Sequence, residues 1–151
     1  MELLLKSKFG SHLYGCSTEK SDTDYKGIFL PSKEDLILQK VSKSINNITK
    51  KDCSQKNTSD DVDYEVYSLH YFLELASQGE TVALDMLHIP KGFEEITSPE
   101  WEFIRKNRNK FYTKNLKSYL GYLRKQVSKY GFRSSRLHTV SEVKKFLKDN
   151  T

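Results

Sequence analysis

Residues 10 to 24 read Gly-Ser-His-Leu-Tyr-Gly-Cys-Ser-Thr-Glu-Lys-Ser-Asp-Thr-Asp, and they contain the spaced string G-S-x3-G-x5-S-D-x-D. Six fixed residues, each at an average usage of about 5 to 7%, coincide by chance on the order of once per ten million start positions. The spacing has a physical reading. Upstream, Leu3-Leu4-Leu5-Lys6-Ser7-Lys8-Phe9 is a short apolar run that alternates toward its end, the pattern of a core strand. Gly10 and Ser11 break it: glycine permits close approach of the backbone to a ligand, and a serine opening a helix offers a hydroxyl and free N–H groups, which suit a phosphate oxygen. Gly15 closes that short element. After a polar loop over residues 16 to 21, the segment from Asp22 to Leu30 reads as a second strand, and alternation puts Asp22 and Asp24 on one face. Two carboxylates so placed suit hard divalent cations such as magnesium, which takes oxygen ligands and keeps waters that substrate phosphates can replace.

These residues resemble the nucleotidyltransferases of the DNA polymerase beta superfamily, whose hallmark is a G-S motif followed by D-x-D on the next strand. Within it the chain is most similar to the bacterial and phage group called the RNA-repair-associated polymerase beta family. The likeness rests on Gly10 to Gly15, Ser21 to Pro31, Val66-Tyr67-Ser68-Leu69 with Phe72 to Leu75, and Gly121-Tyr122, and so spans residues 3 to about 126 with a gap. It implies an α+β fold, a small mixed sheet flanked by helices with a helical C-terminal region. It also implies two Mg2+ ions, or Mn2+, held by three carboxylates.

The third carboxylate has to come from elsewhere. In Asp63-Tyr64-Glu65-Val66-Tyr67 polar and apolar or aromatic residues alternate, so Asp63 and Glu65 share a strand face and either completes the set. The resemblance favours Asp63, because relatives carry an acidic residue four positions before the Tyr-Ser-Leu segment; Glu65 stays in reserve. The expected catalytic and metal-binding residues are therefore Asp22, Asp24 and Asp63, and the expected phosphate-binding residues Gly10, Ser11 and Ser21. An isolated Asp-x-Asp or Gly-Ser is ordinarily only a turn; the joint spacing carries the reading. For His12 a phosphate contact is the second reading; a histidine at the edge of an element ordinarily packs or caps locally.

What this implies is transfer of a nucleoside monophosphate from a nucleoside triphosphate to a hydroxyl acceptor such as an RNA or tRNA end, with pyrophosphate released. A second reading is a non-catalytic nucleotide- or nucleic-acid-binding module of the same fold. A third is ribonuclease activity, from the Arg133-x4-His138 spacing of the HEPN nuclease motif, which is weak because Gly131 disfavours one continuous helix there.

Charge is unevenly divided. Residues 101 to 151 hold 14 basic and 3 acidic residues, against 11 and 17 in residues 1 to 100. The basic half, through Arg105, Lys106, Arg108, Lys110, Lys114, Lys117, Arg124, Lys125, Lys129, Arg133 and Arg136, suits a triphosphate or an RNA backbone, or is simply a solvated face. With 30% charged residues and no apolar run near the roughly 18 residues of a membrane span, a cytoplasmic protein without membrane contact is expected. Cys16 and Cys53 form no framework and lack metal-ligand spacing.

Domain organisation follows from composition: a nucleotidyltransferase core over residues 1 to 97, with a polar loop or inserted hairpin over about 42 to 61, and a basic helical region over 98 to 151 packed on it. Apolar periodicity places helices from Ser68 to Gly79, with Leu69, Phe72, Leu73, Leu75 and Ala76 in its stripe, and over Glu80 to Leu87. Ser98-Pro99-Glu100-Trp101 is a helix start, with serine as cap and proline at the first position. A further amphipathic helix is expected from about Thr113 to Lys129 with Leu116, Tyr119, Leu120 and Leu123 facing inward, and a last one after Ser141 with Val143, Phe146 and Leu147.

Overall fold

The computed structural model of the chain describes residues 2–47, 61–128, and residues 142, 143, 145, 146, 148 and 149. It divides into two compact units, Met1–Thr113 and Lys114–Thr151. The first contains β1 (Glu2–Lys8), α1 (Gly10–Leu13), β2 (Thr23–Leu30), α2 (Lys33–Ile37), β3 (Ser44–Asn47), β4 (Val62–Ser68), α3 (Leu69–Ser77), α4 (Thr81–Leu87), β5 (Glu94–Thr97), α5 (Pro99–Lys106) and a 3-10 turn over Arg108–Phe111. The second contains α6 (Lys117–Gln126).

The five strands form one mixed sheet in the order β3-β4-β2-β1-β5. Three pairings are antiparallel, and β2 with β4 is parallel, in the register Asp24↔Asp63, Lys26↔Glu65, Ile28↔Tyr67. This is the expected α+β architecture with a mixed sheet flanked by helices. Because β1 runs against β2 and β4 runs with it, the C-terminal end of β1 and the N-terminal ends of β2 and β4 meet at one end of the sheet.

Along one face of β2 and β4 the residues pass from Asp24 and Asp63, through Lys26 and Glu65, to Ile28 and Tyr67. Ile28 and Tyr67 belong to the core, with Leu4, Leu5 and Phe9 from the β1 region, Phe72 and Ala76 from α3, Ala83, Met86 and Leu87 from α4, and Trp101 from α5. Phe72 and Trp101 pack edge to face, ring centroids 5.6 Å apart. The helix starting at Ser98 forms as its sequence indicates: the Ser98 side chain accepts from the Trp101 N–H, and Pro99 occupies the first turn. Trp101 sits wholly inside the core of the first unit, so α5 is part of that unit.

Several elements differ from expectation. β3 and β5, four residues each, lie at the two edges of the sheet, where Ser-Ile-Asn-Asn and Glu-Glu-Ile-Thr are too short and too polar to announce a strand. The short helix α2 follows from a local cap: the Ser32 hydroxyl accepts from the Asp35 N–H and donates to its carboxylate. α6 begins at Lys117 rather than about Thr113, and Leu116, Tyr119, Leu120 and Leu123 are exposed rather than inward. The described residues between 142 and 149 are helical; Cys53, Lys129, Gly131, Arg133, Arg136, His138, Ser141 and Leu147 lie outside the described residues. Among the described residues no helix is long and apolar enough to cross a membrane.

Gly27, in the middle of β2, has a packing reason to lack a side chain. A Cβ there would stand 2.7 Å from the Leu5 carbonyl oxygen and 2.7 Å from Val66 Cγ1. Gly27→Ala should therefore destabilise the domain by about 1–3 kcal/mol, the cost of overpacking a closed core. The midpoint of urea unfolding measures it, and an unchanged midpoint would contradict this packing.

Candidate metal centre

Antiparallel pairing with β2 brings the end of β1 onto the start of β2: Lys8 pairs with Tyr25, and the Phe9 N–H donates to the Asp24 carbonyl at 2.8 Å. The chain then turns through Gly10, whose φ of +57° is in the left-handed region. A second constraint acts at the same position. A Cβ on Gly10 would lie 1.9 Å from Asp24 Oδ2 and 2.8 Å from its Cγ, so only glycine lets α1 close over this carboxylate. The first and last landmarks of the motif are thus in direct apposition.

Asp22 lies just before β2, Asp24 is its second residue, and Asp63 is the second residue of β4, paired with Asp24. One carboxylate oxygen from each of Asp22, Asp24 and Asp63 lies within 4.8 Å of the others. Opposed oxygens around Mg2+, at about 2.1 Å each, stand about 4.2 Å apart, so three carboxylate oxygens within 4.8 Å of one another need to close in by only a fraction of an ångström to hold the ion. The fit is also electrostatic. Partial burial raises the Asp24 carboxyl above its ordinary range, and the neighbouring Asp22 and Asp63 charges raise it further, against smaller opposing effects from Lys26 and His12. A divalent cation relieves both the repulsion and the loss of hydration.

Beside the carboxylates, Ser11 Oγ and His12 Nε2 of α1 are buried and have no hydrogen-bond partner among the described residues. Buried polar atoms are normally paired, and each orphan costs about 1–3 kcal/mol. Ser21 is placed differently. Its hydroxyl accepts from the Thr18 N–H at 2.9 Å and lies 3.3 Å from the Thr18 hydroxyl, closing the turn over residues 18 to 21 that delivers Asp22.

Glu65 does not join the cluster. Lys26 Nζ forms an ion pair with Glu65 Oε2, and the Tyr67 hydroxyl donates to the same oxygen at 2.6 Å. Burial acts to raise the Glu65 carboxyl, but the hydrogen bonds from Lys26 and Tyr67 outweigh it and hold the group below its ordinary range. The Tyr67 phenol is pushed up by burial and by the carboxylate it bonds. Lys26 is absent from the sequence-derived set: a lysine within a strand looks like a solvated residue, and its partner lies 39 positions away. A cavity of about 190 Å³ opens beside these groups, lined by Asp24, Lys26, Asn46, Asp63 and Glu65, with Tyr25 and Tyr64.

One of the expected basic residues is already engaged. Arg105 bonds Glu94 at 2.5 Å and Glu102 at 2.8 Å, tying β5 to α5.

The chain matches the family model described as the RNA repair pathway DNA polymerase beta family (RlaP) over residues 1–147. It is also 50% identical over 149 residues to an uncharacterized 38.9 kDa protein encoded in the nrdC-mobD intergenic region of Enterobacteria phage T4, covering 96% of this chain and 44% of that protein. The chain thus spans less than half the length of the curated relative it matches. No solved structure matches it. A family match across nearly the whole chain, on a mixed sheet whose strand ends gather three carboxylates beside a Gly-Ser turn, means that the chain belongs to the RNA repair pathway DNA polymerase beta family.

Proposed function

We propose that this domain is a metal-dependent nucleotidyltransferase that moves a nucleoside monophosphate from a nucleoside triphosphate to a hydroxyl acceptor, the end of an RNA chain. The convergence of Asp22, Asp24 and Asp63 carries the reading; family membership supports it. These three carboxylates would hold Mg2+ or Mn2+. When bound, the metal supplies charge neutralisation at the reacting phosphate and acidifies the acceptor hydroxyl. The chain's own residues do the positioning. Ser11 Oγ, buried and without a hydrogen-bond partner among the described residues, donates to a terminal phosphate oxygen of the triphosphate. Gly10 keeps α1 close enough to Asp24 for phosphate and carboxylates to share one site. The acceptor oxygen forms its bond to the α-phosphorus as the bond to pyrophosphate breaks, and the acceptor proton leaves to a carboxylate or to water. Basic residues of the C-terminal region would then attract the RNA backbone through salt-sensitive electrostatics.

The test is incubation with each labelled nucleoside triphosphate, Mg2+ or Mn2+ and a mixed RNA pool. Label should appear in RNA with stoichiometric pyrophosphate release. Label in no acceptor under any condition, with nucleotide still bound, would instead favour a non-catalytic binding module.

Asp22→Asn, Asp24→Asn and Asp63→Asn should each lower transfer by about a thousandfold or more, since each removes charge from the set that holds the metal. Gly10→Ala should be as damaging while the protein remains folded, because its Cβ and Asp24 Oδ2 cannot occupy the same space. Transfer rates with circular dichroism as the folding control decide both.

The raised Asp24 carboxyl has a stability consequence. A carboxyl whose pKa is higher folded than unfolded favours the fold at low pH, and that contribution is lost as pH rises through the folded value. At neutral pH the ionised Asp24 carboxylate therefore opposes folding. Asp24→Asn should raise the metal-free melting temperature by a few degrees, and Mg2+ should raise that of the unmodified protein more than that of the variant. Thermal unfolding at pH 7 with and without Mg2+ checks this, and a lower metal-free melting temperature for Asp24→Asn would contradict it.

A further inference from the structure

The face that carries Asp24 and Asp63 carries a fourth carboxylate one step deeper. Residues two apart on a strand are separated by about 7 Å along it and point the same way, so Glu65 follows Asp63 toward the core as Lys26 follows Asp24. Asp24, Asp63, Lys26 and Glu65 line one cavity. Glu65 is one methylene longer than aspartate and lines the same cavity as Asp24 and Asp63. In the structure its carboxylate is engaged by two partners on that face: Lys26 Nζ, level with it on β2, and the Tyr67 hydroxyl, one step toward the core, both donate to Glu65 Oε2. The Lys26 ammonium is itself fixed by two aromatic rings, standing 5.7 Å from the Phe9 ring centroid and 5.6 Å from that of Tyr67. A partly buried ion pair is costly to keep, since both ions lose hydration that their mutual attraction repays only in part.

We propose that Lys26 is a positioning residue that keeps Glu65 out of the metal's coordination sphere, limiting the site to three protein carboxylates. The inference rests on the reading of Asp22, Asp24 and Asp63 as the metal-holding set. Its chemical rationale is that binding strength for a hard cation rises with the number of coordinating carboxylates. A fourth would tighten the grip and occupy a position that substrate oxygens need. Lys26 thus sets how many places stay open, although it touches neither metal nor nucleotide.

Mn2+ binding measured by calorimetry on the full chain, without nucleotide, tests this. Lys26→Met should bind Mn2+ about tenfold more tightly than the unmodified protein, because Glu65 is released to the metal. Lys26→Met with Glu65→Gln should return to the unmodified affinity, and Lys26→Arg, which keeps the ion pair, should not depart from it. A loss of packing alone would weaken binding in all Lys26→Met backgrounds and could not be reversed by the second substitution. Should Lys26→Met fail to fold, Glu65→Gln alone decides. It should bind within about twofold of the unmodified protein, whereas Asp63→Asn loses binding. Equal affinities of Lys26→Met and the double variant, or a loss in Glu65→Gln on the scale of Asp63→Asn, would overturn this proposal alone. An unmodified chain that takes up no Mn2+ would overturn the metal reading, and this proposal with it.

Discussion

The structure is organised around the parallel register of β2 and β4, which sets Asp24 directly beside Asp63. Like charges on adjacent strands repel, and here Asp22 adds a third within 4.8 Å. The neighbouring charges add to burial in disfavouring the ionised form of Asp24, which a bound cation would offset. The surrounding features manage that grouping. β1 pairs with β2 on its other side and delivers Gly10, the residue that lets a helix start close against Asp24 without a steric clash. Burial of Asp24 on that side is what makes its carboxyl hard to ionise, and therefore what makes a divalent cation valuable to it.

Moving inward from the cluster, the same strand face changes character in two steps. The acidic row is followed by a charge-compensated row, Lys26 with Glu65, and then by an apolar row, Ile28 with Tyr67. The middle row insulates the core from the charged mouth: it contains both signs, and the Tyr67 hydroxyl joins it to the hydrophobic cluster. The helical layer behind, from Phe72 to Trp101, fixes the depth at which this gradient ends.

Legibility in the sequence depended on distance along the chain. Gly10, Ser11, Asp22 and Asp24 lie within fifteen residues, and their spacing encodes a turn and a strand start that local rules describe. Ser32 and Ser98 caps and the α3 stripe are local in the same way. Asp63 was less legible, since Asp60, Asp61 and Glu65 crowd the same stretch and alternation alone does not choose among acidic residues that share a face. The edge strands β3 and β5 were not legible, because a four-residue polar strand is defined by the neighbour it pairs with. On α6 a helical period was readable, but not that its apolar side chains are exposed.

By itself, then, the sequence determined the motif with Asp22 and Asp24 and narrowed the third carboxylate to Asp63 or Glu65, because glycine conformations and strand alternation act over a few residues; the α+β class was legible through the family resemblance those residues carry. Only the tertiary structure separated Asp63 from Glu65 by setting the first in the acidic cluster and the second against a lysine. Register placed one beside Asp24 and the other beside Lys26. The two aspartates and the ion pair are each joined by contacts across roughly 39 residues of chain. Which carboxylate joins the acidic cluster and which is neutralised by a lysine is a property of strand pairing, and strand pairing is settled by the packing of the whole sheet rather than by any local run of residues.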